Sequence, residues 1–212
     1  MSGELFPSRV VTDRLAFEPL HESVDLREFY RVCSGQADDG DFTDVTRYVT
    51  WSPHEHPRET REFLDGVAER FESGDGGEYA VRPREGEDGA GELAGVTGVG
   101  VDWDRRLATF GTWLRRPFWG RGYSGERAAA FVEVAFEALD LAVVEVTHEP
   151  DNDNSRRAIE KYVDAHDGRR EGHLRSFVAD RDGRITDQVR YTITREEYER
   201  ADTPDVGTRI EL

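Results

Sequence analysis

Lysine is almost missing from this chain: Lys161 stands alone, and every other basic residue is an arginine. Lys+Arg total 28 against 45 Asp+Glu, a net charge of −17. A surface that acidic repels the phosphates of nucleic acids and of anionic membranes, so neither is an expected partner. Abundant acid with almost no lysine fits a chain kept soluble in very salty cytoplasm, where screening makes the self-repulsion tolerable, or else an ordinary acidic protein from a GC-rich genome. Cysteine is scarce as well. Cys33 is the only one, which excludes an internal disulfide. Its place among Phe29, Tyr30 and Val32 reads as a small buried hydrophobe rather than a nucleophile. No apolar run approaches membrane-spanning length, and Met1 to Arg14 carries no apolar core of the secretory kind, so a cytoplasmic location is expected.

What is present is an ordinary globular balance over 212 residues, with 36% hydrophobic and 34% charged. It reads as a single domain over 1–200, with 201–212 as a loose tail. Arg14 to Leu20 alternates as a first strand, and Ser23 to Cys33 follows with helical spacing. Ala37 to Asp44 is an acidic loop without calcium-binding spacing. His54-Glu55-His56 offers two histidines but no third ligand, so no metal site is expected. A helix runs from Pro57 to Ser73 and stops at Gly74. Glu78–Arg82, Glu92–Trp103 and Leu107–Leu114 form a three-stranded meander. An amphipathic helix containing Phe131, Val132, Ala135 and Phe136 follows, then a strand over Leu141–Thr147 and a helix over Ser155–Val163. Two strands around the Asp182-Gly183 turn signal complete the pattern. The class is α+β: a mixed, mostly antiparallel sheet of six to seven strands flanked by about four helices. The one expected parallel pair is joined by the helix after Gly125.

Trp119-Gly120-Arg121-Gly122-Tyr123-Ser124-Gly125 is the stretch with chemistry in it. Glycines at the start of a helix let backbone N–H groups approach a pyrophosphate, the helix dipole favours the negative charge, and Arg121 can add a charge-assisted contact. Literally the loop is G-x-G-x-x-G, and Glu145 lies near the distance of a ribose-binding acid, so a dinucleotide is one reading. Against it, the preceding strand alternates instead of running apolar throughout. An acyl-CoA pyrophosphate is the other reading.

The chain resembles the GNAT acetyltransferases, and within them the RimJ/RimL branch of ribosomal-protein N-terminal acetyltransferases. Thr12-Asp13-Arg14-Leu15, Arg47-Tyr48-Val49-Thr50-Trp51, Gly111-Thr112-Trp113-Leu114, Trp119 to Tyr123, Asn152 to Lys161 and Arg169-Arg170-Glu171-Gly172 carry the resemblance, in order and over nearly the whole chain. It implies the GNAT fold and an acetyl-CoA-dependent N-acetyltransferase working by direct attack of an amine in a ternary complex. Trp113, Leu114, Arg115, Trp119, Gly120, Arg121, Gly122, Tyr123, Ser124, Gly125, Asn152 and Ser155 would hold the cofactor. A backbone N–H between Trp113 and Arg115 would meet the thioester carbonyl. Ser155 would protonate the leaving thiolate, because Ile159 stands where many family members place a tyrosine; as a helix N-cap it has an equally good structural role. Glu145 would act as base through a water, or serve as a plain strand acid. Tyr48 and Trp51 would line the acceptor side. Two departures stand out: Ser124 replaces the usual Gly or Ala, and Tyr162-Val163-Asp164 replaces the usual Leu-Gly-Phe after Lys161. The implied acceptor is a protein N-terminal α-amine, such as that of a ribosomal protein. Small amines (polyamines, aminoglycosides, amino acids) and a non-catalytic CoA-binding module stay open, as does the choice between monomer and homodimer.

Overall fold

The computed structural model describes residues 5–38, 42–179, 183–203 and 205–212. Residues 39–41 of the expected acidic loop and Asp182 of the expected turn lie outside them. Nine strands appear among the described residues: β1 (Arg9–Val11), β2 (Leu15–Pro19), β3 (Gly76–Pro83), β4 (Gly95–Asp102), β5 (Leu107–Leu114), β6 (Val143–His148), β7 (Arg169–Ala179), β8 (Ile185–Thr194) and β9 (Arg209–Glu211). They form one sheet in the order β7-β8-β6-β5-β4-β3-β2-β1-β9. Every pairing is antiparallel except β5 with β6. The sheet is thus two strands larger than expected, through β1 and β9. The C-terminal segment is not a loose tail, since Ile210 pairs with Val10 and packs on the core.

Seven α-helical segments accompany the sheet among the described residues: α1 (Leu20–Ser23), α2 (Leu26–Cys33), α3 (Thr43–Thr46), α4 (Pro57–Ser73), α5 (Tyr123–Glu133), α6 (Asp153–Ala165) and α7 (Arg195–Arg200). Their ends follow local chemistry. The helix expected over Ser23–Cys33 is broken because Asp25 caps α2, accepting from the N–H groups of Arg27 and Glu28 at 2.8 and 3.2 Å. Pro57 opens α4 at a position where a missing N–H costs nothing, and Gly74 closes it at φ 81°. Thr194 and Glu197 cap α7 reciprocally. The helix begun by α5 continues into a π-helical turn over Val134–Ala138.

One hydrophobic cluster lies between the sheet and α5 and α6, with Phe17, Tyr79, Phe110, Phe131, Val144, Val146, Ile159 and Tyr162 among its members. Phe131 is its hub, meeting the rings of Phe17 and Tyr79 at 5.2 Å each. A second cluster on the other face packs α2 and α4 through Phe29, Val32, Cys33, Leu64 and Val67. Cys33 belongs to it, and burial pushes its thiol up, away from the reactive thiolate.

The feature that positions the site is a divergence within the sheet. Leu107–Phe110 pair with Val143–Val146, but β5 continues to Leu114 and β6 to His148 without pairing further. Gly111 and Thr112 are exposed in the middle of a nine-stranded sheet because their neighbour has moved away. The result is a wedge, open at the carboxyl ends of the two parallel strands.

Candidate active site

The loops after β5 and β6 both emerge at the open end of the wedge, and both start helices there. The first is the glycine loop. Gly120 and Gly122 sit at φ +74° and +81°, conformations that a side chain would strain. A Cβ added at Gly120 or Gly125 would meet nothing within 4 Å, so the loop faces open space. Gly122 is the N-cap of α5, and its carbonyl accepts from the N–H groups of Gly125 and Glu126 at 3.1 and 3.2 Å. The backbone N–H groups ahead of these, from Gly120 to Ser124, form a cradle of donors at the positive end of the helix that suits a pyrophosphate.

The loop is braced from both sides. Arg121 Nη1 donates to the Asp88 carbonyl at 2.8 Å, and the Tyr123 hydroxyl donates to Glu87 at 2.6 Å. Burial first, and then this bond to a carboxylate, push the Tyr123 phenol up. The Trp119 indole N–H reaches back to the Leu114 carbonyl at 2.6 Å, tying the loop to the end of β5.

Strand alternation decides which backbone group faces the wedge. The Arg115 N–H donates to the Ala94 carbonyl at 2.8 Å, toward β4. Trp113, two residues earlier, points its backbone the same way, while Thr112 and Leu114 point theirs toward the open edge. Of the three residues expected to supply a carbonyl-polarising N–H, Leu114 is the one whose N–H faces the open edge. Arg115 does not turn its N–H to the wedge, because that group is engaged with the Ala94 carbonyl. Its guanidinium turns away into a bidentate pair with Asp38 at 2.6 and 2.9 Å and bonds the Leu93 carbonyl at 2.9 Å. The Asp38 bonds raise its pKa further, so this is a structural cation.

At the second loop, the expected roles of two residues are redistributed. The N-cap of α6 is Asn152, whose Oδ1 accepts from the Ser155 N–H at 3.1 Å. Ser155 therefore sits inside the first turn, freed of the capping duty, and its half-buried hydroxyl makes no hydrogen bond within the described protein. Ile159, in the position of the missing tyrosine, is buried in the core.

Glu145 lies on the opposite face of β6 from Val144 and Val146, away from α5 and α6. Its carboxylate is buried and held by Arg190 at 2.6 Å. It sits inside the strand rather than at its carboxyl end, where a ribose-binding acid would stand, so the dinucleotide reading has no acid to rest on. Trp113 faces the same side and packs against Trp51 at 5.3 Å and Phe42 at 6.0 Å. Tyr48 bridges from that side to the loop before α6, its hydroxyl donating to the Asp151 carbonyl at 3.1 Å. The two residues expected on the acceptor side are thus joined to the two walls of the wedge. His54 is buried and meets Thr60 Oγ1 at 2.8 Å, while His56 is exposed. Among the described residues no His, Cys, Asp and Glu set gathers as metal ligands, and no helix is long and apolar enough to cross a membrane.

Sequence reasoning missed the contacts that fix the glycine loop from the N-terminal hairpin. Glu126, buried in the first turn of α5, accepts from Thr12 Oγ1 at 2.6 Å, from the Arg14 N–H at 3.0 Å and from Arg14 Nε at 2.6 Å. Partners 112 or more residues apart leave no local signal.

The comparisons with known proteins bear on this geometry. The family model for the acetyltransferase (GNAT) domain matches residues 14–162. An uncharacterized N-acetyltransferase p20 of Bacillus licheniformis is 24% identical over 156 residues, which are 73% of this chain and 83% of that one. A putative acetyltransferase from T. thermophilus has a similar structure, with a TM-score of 0.71 at 25% identity over 92% of this chain and 93% of that one. Mycobacterium smegmatis RimJ, solved in complex with CoA-disulfide, has a TM-score of 0.71 at 19% identity, covering 93% of this chain and 92% of its own. With a family model matching most of its length, around a braced glycine cradle beside a split in a mixed sheet, the chain belongs to the GNAT acetyltransferases and is an acetyl-CoA-dependent N-acetyltransferase.

Proposed function

We propose that this enzyme acetylates a protein N-terminal α-amine, with ribosomal-protein termini as the leading class, and that the wedge between β5 and β6 is where the reaction occurs. The observation that carries the reading is the divergence of the two strands after Phe110 and Val146, which leaves the Leu114 N–H facing the gap with the glycine cradle at its mouth. Acetyl-CoA supplies the activated acetyl group. The chain holds the pyrophosphate on the backbone N–H groups of the loop from Gly120 to Ser124, with Gly125 leaving room beside them and Arg121 adjacent. The Leu114 N–H polarises the thioester carbonyl, a contact worth most in a site screened from water. Ser155 hands its proton to the sulfur as the C–S bond breaks and regains one from the attacking nitrogen, which sheds a proton on becoming an amide; its freedom from the cap supports that role.

The choice of acceptor follows from the state of the strand acid. Glu145 is committed to Arg190, so it is not free to serve as a strong base at the wedge. An α-amine, with a pKa of roughly 7.7–8.0, is partly neutral at pH 7, whereas a lysine amine near ~10.4 would need such a base. The resemblance to the RimJ/RimL branch supports the ribosomal acceptor, and the similar fold of RimJ agrees with it by analogy. Mass spectrometry of ribosomal proteins incubated with acetyl-CoA, with and without the enzyme, tests the reading. N-terminal acetyl groups are expected to appear, and Ser155→Ala should slow their appearance about a hundredfold while acetyl-CoA still binds. Acetylation confined to polyamines or aminoglycosides added to the same mixture would overturn the acceptor assignment.

A further inference from the structure

The Thr12-Asp13-Arg14-Leu15 motif plays no part in the chemistry above, yet the fold brings it to the glycine loop. Thr12 is wholly buried in the turn between β1 and β2; its N–H donates to the Leu15 carbonyl at 2.9 Å, and its hydroxyl oxygen accepts from the Leu15 N–H at 3.1 Å. From this rigid turn the Arg14 guanidinium spans two targets. Nε and Nη2 grip Glu126 Oε2 at 2.6 Å each. Nη1 donates to the carbonyl of Arg121 at 3.0 Å, inside the loop itself. The guanidinium also lies over the Tyr123 ring at 5.3 Å, and Nη2 is 3.5 Å from where a Cβ on Gly122 would stand.

The consequence is a fixed peptide orientation. A trans peptide points its C=O and N–H in opposite directions. With the Arg121 carbonyl held toward Arg14, the N–H of Gly122 must point the other way. A glycine-rich loop is the backbone best able to rotate that peptide, since Gly122 at φ +81° has no side chain to resist. Rotated, the peptide would present a carbonyl to the ligand instead of a donor, and an anion would be repelled. Glu126 holds Arg14 in place, so the chain of control runs Thr12 and Glu126 to Arg14, and Arg14 to the Arg121–Gly122 peptide. We infer that Thr12, Arg14 and Glu126 form a clasp that positions the glycine loop, presetting the N–H face that takes a pyrophosphate. They are positioning residues, touching the loop rather than the reacting atoms. This inference rests on the reading of the loop as the pyrophosphate cradle.

The test compares two ligands that share the pantetheine arm; acetyl-CoA carries the pyrophosphate and the 3′-phosphoadenosine beyond it, and acetyl-pantetheine carries neither. Dissociation constants for acetyl-CoA and for acetyl-pantetheine are measured by calorimetry on the parent enzyme, Arg14→Gln and Glu126→Gln. In Glu126→Gln an amide NH₂ can replace Oε2 and face the guanidinium donors, so the grip is lost with the volume kept. Both variants are expected to weaken acetyl-CoA about tenfold. Acetyl-pantetheine affinity should stay within about twofold of the parent value, a split that a general loss of structure would not produce. Should Glu126→Gln fail to fold, Arg14→Gln, whose side chain is partly exposed, decides alone. Equal weakening of both ligands, or no weakening of acetyl-CoA, would overturn the clasp. A parent enzyme that binds acetyl-pantetheine as tightly as acetyl-CoA would instead overturn the loop's assignment as a pyrophosphate cradle.

Discussion

Arg127 follows the clasp residue by one position and ends in a different environment. It is 3% exposed, with its guanidinium over the rings of Phe110 at 5.8 Å and Tyr162 at 6.0 Å. Its Nε and Nη1 find no acceptor among the described groups, and neither does the Tyr162 hydroxyl. Burial lowers the arginine pKa and pushes the Tyr162 phenol up to about 12, against the pull of the nearby cation. Two aromatic faces, about 2 kcal/mol or more each, offset only part of the cost of desolvating a charge. A buried cation whose Nε and Nη1 lack acceptors is therefore a net liability to the fold. Arg127→Met keeps an unbranched stem in the same space and removes the charge. The variant should gain about 1–4 kcal/mol, read as a higher urea midpoint at unchanged slope. A lower midpoint would mean that the guanidinium is matched in solution by bound water or an anion.

At the scale of elements, β9 owes its existence to pairing rather than to its own sequence. Arg-Ile-Glu is too short to display a period, and its strand forms because the edge of β1 offers unpaired backbone groups. Upstream of it, the Val206 carbonyl accepts from the Asp13 N–H at 2.9 Å, which ties the C-terminal segment to the turn bearing the clasp. Ending the chain after Ala201 should expose the β1 edge and lower Tm by several degrees, corresponding to about 1–3 kcal/mol. A loose tail would leave Tm unchanged. The same contrast explains what is legible in the sequence. The long periodic elements can be read because each carries its own signal: α4 between Pro57 and Gly74, the alternating strands β3 to β5, and the glycine loop with α5 behind it. What escapes depends on partners far along the chain. The turn of Arg115 toward Asp38, the ion pair of Glu145 with Arg190 and the grip of Glu126 on Arg14 are tertiary choices among chemically equivalent acids and bases. Asn152 and Ser155 are a subtler case. Both are good caps three residues apart, and only the observed start of α6 shows which one takes the duty.

For the molecule as a whole, charge is the dominant variable. With 45 acidic and 28 basic residues, 17 acids stay uncompensated even if every arginine and the lone Lys161 were paired. Many arginines are indeed paired on the surface, as in Arg58 with Glu62 at 2.8 Å and Arg156 with Asp153 at 3.0 Å. Such exposed pairs contribute about 0–1 kcal/mol each, and salt weakens them. Salt also screens the repulsion among the excess acids, and that repulsion extends over the whole surface rather than over single contacts. At about 1 M the Debye length is about 3 Å, short enough to silence acid–acid repulsion between neighbours while leaving the buried Arg115–Asp38 and Glu145–Arg190 pairs largely intact. The balance favours stabilisation by salt. Tm should rise as KCl is raised from about 0.1 M to about 1 M and then level off. Potassium chloride is the salt to use, because sulfate would strengthen apolar burial in any protein and confuse the two causes. A matched titration with sucrose separates them further, since sucrose acts by exclusion and screens nothing. A Tm that falls with KCl would show that the surface pairs outweigh the excess acid. A rise matched by sucrose alone would show that compaction, rather than screening, is responsible.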